Sequence, residues 1–341
     1  MKKIYYLKLV KNKYMIKRNL NKILYFINSI SLLILLISYL SGYIHPDNFW
    51  QISLLGLFFP AILAINFLFS IYWIIVWKKY FWPNFIIIII GLSHINTIIG
   101  NQKNKSYSKD FSEIVKNKNH TFDQKIKVMT FNVRSFNQYE NIESTTIEDE
   151  IIDFIKKEKP NILSIQEFKK SDKTEEIYKF YNKSEVFDGR LQIISKYDQL
   201  NSGFVHNINS CIYSDIILND TIRIYNIHLQ SNYKDKWKEN YQTRANEAIK
   251  IKEHIESSPY PVIICGDFND TPISYTLKTM TKNLSDAFQE SGIGIGNSYI
   301  GIPFLRIDYI LHDIKYKSYN YKRHKDELSD HYPISCDILI P

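Results

Sequence analysis

Acidic residues are nearly absent from the first hundred positions of this chain. That segment contains ten Lys and Arg but a single acid, Asp47, so its formal charge is +9. The other 241 residues balance 33 basic side chains against 34 acidic ones. The basic pI of about 9.0 therefore belongs to the N-terminal third. It is no argument for a nucleic-acid-binding patch in the rest of the chain, although a local patch fits within a neutral total.

Cysteine is also scarce. The chain has three, Cys211, Cys265 and Cys336, and each lies in or beside an apolar run typical of a strand. An odd number in such positions argues against a disulfide framework, so we expect buried free thiols.

Three long apolar stretches fill the N-terminal third, at residues 23–44, 54–77 and 81–99. About 20 apolar residues are needed for a helix to cross a bilayer. The sequence therefore predicts a membrane region over residues 1–100 with about three transmembrane helices. The third is the weakest, because Pro83 lies near its start and His94 near its end; a segment that does not cross is the alternative.

The cations predict the orientation of these helices. Residues 1–22 and the Lys78-Lys79 turn are basic, whereas the loop at residues 45–51 has no Lys or Arg. Positive charge stays on the cytoplasmic side, so three crossings place the C-terminal domain outside the cytoplasm, and two would leave it inside. Residues 101–125 are polar without apolar periodicity, which predicts a linker.

From residue 126 to residue 341 the pattern predicts one α+β domain, with more strands than helices. Helices are expected at residues 144–157 and 241–255. Strands are expected at residues 126–134, 162–168, 192–195, 209–214, 221–230, 262–265, 305–312 and 332–340. This order favours a β-sandwich covered by helices.

Several of these strands are apolar at their start and polar at their end. His228 shares a strand face with apolar residues that precede it, and Asp267 and Asn269 follow another apolar strand in the same way. The sequence therefore predicts a functional site where the strands end.

Six short motifs carry a resemblance to a known family. They are Thr130–Arg134, Ile165–Glu167, Ile227–Leu229, Gly266–Asn269, Arg306–Ile310 and Ser329–Pro333. In this order they resemble the successive motifs of the endonuclease/exonuclease/phosphatase family, which has the DNase-I-like fold. One such motif arises often by chance, but six in order are specific. The resemblance implies a four-layer α/β/β/α sandwich behind transmembrane helices, as in bacterial members anchored in the inner membrane.

The resemblance also implies metal and water-binding roles. Glu167 would be the principal ligand of Mg²⁺, with Mn²⁺ as the alternative, and Asp330 and Asn132 would contribute directly or through water. Asp267 would activate the attacking water, and Asn269 would hold that water or a phosphoryl oxygen. Asn132 would also orient the phosphate.

Two histidines and two arginines complete the implied site. His331, oriented by Asp308, would contact the phosphate, because a carboxylate on one ring nitrogen fixes the tautomer and favours the cation. His228 would lie near the leaving group, with a structural histidine as its rival. Arg306 and Arg244 are expected to support the substrate, with packing roles as the alternative.

These residues together predict a metal-dependent phosphoric ester hydrolase. Nuclease-like cleavage of phosphodiesters is the leading hypothesis. The alternatives are a phospholipid or sphingomyelin phosphodiesterase, or an inositol-phosphate phosphatase, since one centre serves all of them. An inactive binding module on the membrane is disfavoured, because Glu167, Asp267 and His331 are all present.

The expected partners are a phosphate ester, either nucleic acid or a lipid headgroup, and the lipid bilayer. The sequence indicates no particular protein partner. A nuclease should carry a groove with exposed Arg and Lys, and a lipid enzyme an apolar rim facing the bilayer.

Overall fold

The computed structural model describes residues 2–76, 78–101, 124–137, 146–181, 186–187, 190–205, 208–232 and 235–341. Two six-stranded sheets form the C-terminal part, called here the sandwich. The strands are β1 Ile99–Asn101, β2 Gln124–Asn132, β3 Ile162–Gln166, β4 Val186–Phe187, β5 Leu191–Ser195, β6 Gln199–Phe204, β7 Cys211–Ile217, β8 Thr221–His228, β9 Val262–Asp267, β10 Leu284–Asp286, β11 Ile293–Ile295, β12 Asp308–Asp313, β13 Lys317–Arg323 and β14 Ile334–Ile340.

Helices precede the sandwich and cover its outer faces. They are α1 Lys2–Ser38, α2 Pro46–Phe49, α3 Gln51–Leu57, α4 Phe59–Ile75, α5 Phe81–Ile90, α6 Leu92–Ile98, α7 Ile147–Glu158, α8 Glu175–Tyr178, α9 Trp237–Glu256, α10 Tyr275–Met280 and α11 Ala287–Ser291. The left-handed residues Arg134, Ser135 and Phe136 form a tight turn after β2.

The strand order is β13-β14-β2-β3-β5-β4 in the first sheet and β10-β12-β9-β8-β7-β6 in the second. The pairs β2–β3 and β8–β9 are parallel, and the other pairs are antiparallel. Parallel neighbours end at the same edge of a sheet. Each sheet therefore brings the ends of two central strands together.

Three apolar layers hold the sandwich together. Val128 and Ile338 of the first sheet pack against Ile263 and Ile310 of the second. Helix α7 covers the outer face of the first sheet, and α9 covers the outer face of the second. This arrangement confirms the expected four-layer α/β/β/α sandwich, and all three cysteines are buried and free.

The N-terminal helices form a bundle in which α4 runs against α1 and α5. Asn28 of α1 exchanges hydrogen bonds with Asn84 of α5 (2.8 and 2.9 Å), and its Oδ1 accepts one from Trp73 of α4 (2.6 Å). Towards the end of α1, Tyr39 packs on Phe59 and on His94. Buried amides of this kind join helices where water cannot hydrogen-bond them.

The predicted spans are only partly matched by single helices. The first helix ends at Ser38 rather than at residue 44, and within it Lys11–Ser38 is long and apolar enough to cross a membrane. The second and third segments are broken pairs, α3 with α4 bent by 66° and α5 with α6 bent by 64°. Counting each pair as one span gives up to three spans among the described residues.

The bundle contacts the sandwich at a junction made by the loop after α1, the end of α6 and strand β1. Ser41 Oγ donates to the carbonyl of Ile273 (2.9 Å), and Arg306 donates to the carbonyl of Thr97 (2.9 Å). Strand β1, which follows α6 directly, pairs with β11. The bundle and the sandwich therefore share hydrogen bonds and a two-stranded sheet.

Some predicted boundaries differ from the structure. Asn101 and Gln124 belong to strands, and the linker expected between them lies outside the described residues. The helix expected from residue 144 is described from Ile147. Six strands were not predicted, namely β1, β4, β6, β10, β11 and β13, and the strand expected from residue 305 begins at Asp308.

Candidate active site

Three side chains of the second sheet lie in one row where its central strands end. Asp267, the last residue of β9, is opposite His228 on parallel β8 and opposite Asp308 on antiparallel β12. Gly266 has φ +142°, and a Cβ there would collide with the carbonyl of Ile227. Glycine is therefore required where β9 passes close to β8 and presents Asp267.

The first sheet supplies Asn132 and Glu167. Asn132 ends β2, and Glu167 follows β3 with a left-handed φ of 52°. The Asn132 amide donates to Glu167 Oε1 (3.1 Å) and to Asp267 Oδ2 (3.2 Å). One amide thus joins the acids of the two sheets across the top of the sandwich.

A buried polar bridge lies beneath this group. Gln166 donates to Asn226 Oδ1 (2.6 Å), and Asn226 donates to the carbonyls of Ile165 and Gln192 (2.8 Å each). Every one of these groups is buried, so breaking a bond would leave an unpaired polar atom. The bridge holds the two sheets in a fixed relation under the site.

His331 is held between two buried carboxylates. Its Nδ1 lies 2.9 Å from Asp308 Oδ2, and its Nε2 lies 3.6 Å from Asp267 Oδ2. Burial alone would lower the pKa of His331, but Asp308 and Asp267 outweigh it and raise that pKa to about 10. The ring is therefore an imidazolium at neutral pH and can donate a proton.

His228 occupies the solvent-facing side of the same group. Its Nε2 is 3.8 Å from Glu167 Oε1 and 3.8 Å from Asp267 Oδ2, and about a fifth of its side chain is exposed. Asp267 thus faces two histidines, one buried and one open to solvent.

Asn269 and Arg244 fix the loop after Asp267. Asn269, with φ 52°, donates its backbone N–H to Asp267 Oδ1 (2.8 Å) and its side-chain amide to the carbonyl of Leu229 (3.0 Å). The fully buried Arg244 donates to the Asn269 carbonyl and to Asn232. Arg244 therefore supports this loop and does not contact Asp267, His228 or His331.

Asp330 lies at the rim and Arg306 lies outside the site. Asp330 accepts a hydrogen bond from Arg134 (2.7 Å) rather than from Asn132 or His331. The guanidinium of Arg306 is buried against Asp286 and the Thr97 carbonyl, 3% exposed, so its placement does not fit the substrate contact expected from the sequence.

Sequence reasoning assigned no role to Ser298 and Tyr299, which lie beside the dyad formed by Asp308 and His331, or to Arg134 at the rim. The ring of Tyr299 packs edge-on to His331 with centroids 5.3 Å apart, and Ser298 Oγ accepts the backbone N–H groups of Ile307 and Asp308. Arg134 was visible as the last residue of its motif. Ser298 and Tyr299 lie in an irregular loop that gives no periodic signal.

Two groups of acids differ in their suitability for a metal. One ligand atom from each of Asp267, Asp308 and His331 lies within 4.8 Å of the others, and all three residues are buried. Mg²⁺ keeps several of its waters, for which a buried group leaves little room. The Glu167 and Asp330 side chains, 29% and 25% exposed, leave room for those waters.

Comparison with known proteins identifies the family of this chain. The family model described as the endonuclease/exonuclease/phosphatase family matches residues 129–331, more than half of the chain. The chain belongs to this family. Its members hydrolyse phosphate esters and generally depend on divalent metals, so the chain is a phosphoesterase. Residues 21–98 match a domain family of unknown function, DUF8431.

Solved structures support the fold at low sequence identity. The endonuclease/exonuclease/phosphatase from Bacteroides vulgatus is 18% identical with a TM-score of 0.54; the match covers 64% of this chain and all of that one. The human Nocturnin catalytic domain with bound sulfate is 16% identical with a TM-score of 0.52, covering 64% and 95%. A functionally unknown conserved protein from Enterococcus faecalis V583 is 16% identical with a TM-score of 0.53, covering 63% and 100%. No curated protein matches the chain.

Proposed function

We propose that this protein is a membrane-anchored, Mg²⁺-dependent phosphodiesterase whose active site lies between Glu167 and His331. One observation carries the proposal: the buried carboxylate of Asp267 lies within 3.8 Å of the Nε2 atoms of both His228 and His331. A base flanked by one charged and one accessible imidazole has the components for hydrolysis with acid assistance.

Glu167, the Asn132 side-chain oxygen and Asp330 would hold the metal. All three offer oxygen, which Mg²⁺ prefers, and Mn²⁺ accepts the same donors. When bound, the ion neutralises the negative charge that develops on the phosphoryl oxygens. The guanidinium of Arg134 donates to Asp330 Oδ2 (2.7 Å), so Asp330 Oδ1 would be the oxygen offered to the metal.

The chain's own residues would move the protons. Asp267 accepts a proton from water as the water oxygen bonds to phosphorus, and the bond from phosphorus to the leaving oxygen breaks. His228 in its protonated form gives a proton to that leaving oxygen and afterwards recovers one from Asp267, which returns both groups to their starting states. The imidazolium of His331 donates a hydrogen bond to a phosphoryl oxygen. Asp308 keeps His331 charged, and Asn269 holds the Asp267 loop in place.

Residues 1–100 would form the membrane region and the sandwich the catalytic domain. In the bundle, Tyr39 and His94 lie at the end that meets the sandwich, whereas Lys78 and the basic tail lie at the other. The positive end belongs in the cytoplasm. We therefore propose an inner-membrane protein with an extracytoplasmic catalytic domain.

A lipid phosphodiester is favoured over nucleic acid as the substrate. The loop that carries Tyr299 beside His331 also carries Ile302 and Phe304, which are exposed on the side of the membrane bundle. An apolar rim there is the feature expected of a lipid enzyme. We therefore propose a lipid phosphodiester as the substrate, in place of the nuclease-like cleavage that was the leading hypothesis from the sequence.

Metal removal and substitution test the chemistry. Full-length protein in nanodiscs should hydrolyse methyl para-nitrophenyl phosphate, lose this activity in EDTA and regain it with Mg²⁺. Glu167→Ala and Asp267→Asn should each lower kcat by about 10²-fold or more. The exposed acid Glu175, replaced by Ala, is the control. Undiminished turnover in EDTA, or in Asp267→Asn, would refute the proposal.

A further inference from the structure

An apolar groove lies at the junction between the membrane bundle and the sandwich. It has a volume of about 160 Å³. One wall is the start of α4, with Phe58, Ala61 and Ala64, and the facing wall is the loop with Ile302 and Phe304. An apolar cavity of about 150 Å³ is large enough to bind benzene, so this groove can hold a short run of methylene groups.

The groove opens towards the surface that would face lipid. Phe58, Ile302 and Phe304 are each about half exposed, at 54, 49 and 52%. Helix α4 continues from the groove as a run of apolar side chains, many of them exposed. An apolar chain leaving the groove along α4 would therefore stay in contact with apolar surface.

The backbone at Phe304 is held in an unfavourable conformation. Its φ is +70°, a left-handed value that costs a bulky residue energy. Such strain persists where the surrounding structure imposes it, and it occurs often at binding sites. Here the strained residue is Phe304, a phenylalanine on the groove wall whose half-exposed ring is apolar and gains nothing from contact with water.

The same loop connects the groove to the active site. The backbone N–H of Ile300 donates to the carbonyl of Asp330 (2.9 Å), and Tyr299 pairs with His331 as a β-bridge. At the other end of the loop, Arg306 lines the groove, and Asp308, which begins β12, follows two residues later. One loop, from Tyr299 to Arg306, therefore borders both His331 and the groove, the two places that a phosphate with an apolar chain would occupy.

We propose that this groove binds the apolar chain of a membrane lipid whose phosphodiester is cleaved at Asp267 and His331. This inference rests on the proposed function and adds the part of the substrate that the bundle recognises. The occupant is a lipid chain because one wall of the groove belongs to a helix that would itself enter the bilayer. The membrane region thus forms part of the substrate site.

Two probes with the same reactive group test this inference. Full-length protein in nanodiscs is assayed with hexadecyl para-nitrophenyl phosphate and with methyl para-nitrophenyl phosphate. We expect kcat/KM for the hexadecyl probe to be at least about tenfold higher, because its chain is removed from water. Ala64→Phe, which fills the groove, should remove most of this preference and leave the methyl probe unchanged. Ile65→Phe, on the same helix but outside the groove, is the matched control.

The outcomes separate the groove from the chemistry. If neither probe is hydrolysed in a metal-dependent manner, the proposed function fails. If both are hydrolysed equally, or if Ala64→Phe and Ile65→Phe behave alike, the groove inference fails and the function stands. Plasmid DNA cleaved faster than either probe also overturns it, in favour of a nuclease. If Ala64→Phe does not fold, Phe304→Ala tests the facing wall. It should lower kcat/KM for the hexadecyl probe only.

Discussion

At the scale of single residues, Asp267 is the centre of the proposed chemistry. It accepts hydrogen bonds from the Asn132 amide and from the Asn269 backbone, and it faces two imidazoles. A buried carboxylate with donors on both oxygens is held in one orientation. The direction of proton transfer then depends on the neighbouring histidines, and above all on the charge of His331.

Replacing Asp308 tests how that charge is maintained. Asp308→Asn keeps the shape of the side chain but removes the main charge that raises the pKa of His331. Because burial then dominates, we expect this pKa to fall by at least about one unit, equivalent to about 1.4 kcal/mol, and kcat to fall about 10²-fold or more. NMR titration of His331 in metal-free protein and steady-state kinetics measure the two effects.

The pH profile gives the sign of the same effect. An imidazolium donor is lost as the pH rises through its pKa, so the alkaline decline in activity should move to lower pH in Asp308→Asn. Asp313→Asn, at the far end of the same strand, should leave the profile as in the wild type. An unmoved alkaline decline in Asp308→Asn would contradict the role of the dyad.

The sequence predicted His228 and Asp267 from strand alternation, and Asn132, Glu167 and His331 only through the resemblance to the family. The parallel pairs seen in the structure explain why Asn132, His228 and Asp267 lie at one edge of the sandwich. The bond from Arg134 to Asp330 depends on a left-handed turn and on a distant loop. Such long-range placement has no periodic signature in the sequence.

At the scale of elements, packing decided what the sequence could not. Strand β6 has a mostly polar, partly exposed pattern, and it pairs with β7 only at the sheet edge. Strand β13 is likewise partly exposed beside β14. Edge strands lack the apolar alternation by which a buried strand is recognised, so neighbouring backbone rather than side-chain pattern forms them.

At the scale of elements, Arg306 joins the bundle to the sandwich. Its guanidinium pairs with Asp286 before α11 (2.8 Å), donates to Thr97 at the end of α6 (2.9 Å) and stacks on Phe288 and Tyr309. A lysine has neither the planar fork nor the second donor in the right place. The tie therefore depends on arginine rather than on positive charge alone.

Arg306→Lys should accordingly destabilise the whole chain. The lysine keeps the charge beside Asp286 but cannot also reach the Thr97 carbonyl, and a buried acceptor left unpaired costs about 1–3 kcal/mol. Denaturant unfolding of full-length protein in detergent measures this loss. Arg323→Lys, which changes a partly exposed arginine stacked on Tyr332, is the control and should lose less than about 1 kcal/mol. Equal losses would mean that the buried tie has no special role.

At the scale of the whole molecule, the two ends of the bundle differ in charge and in contacts. One end carries the basic tail and the Lys78-Lys79 turn, and the other meets the sandwich through Ser41 and Thr97. Because α4 runs antiparallel to α1 and α5, three spans would place these ends on opposite sides of a membrane. The packing thus separates the sandwich from the basic end, and the charge pattern predicts which side is cytoplasmic.

Cysteine labelling tests that orientation. The three native cysteines are buried, so a cysteine introduced at an exposed position would react first with a membrane-impermeant maleimide. In intact bacterial spheroplasts we expect Lys315→Cys on the sandwich to be labelled and Lys79→Cys in the basic turn to react only after permeabilisation. The wild-type chain is the control for background labelling. The reverse pattern would place the sandwich in the cytoplasm and the basic turn outside it. That result would refute the proposed orientation, in which three crossings put the catalytic domain outside the cytoplasm.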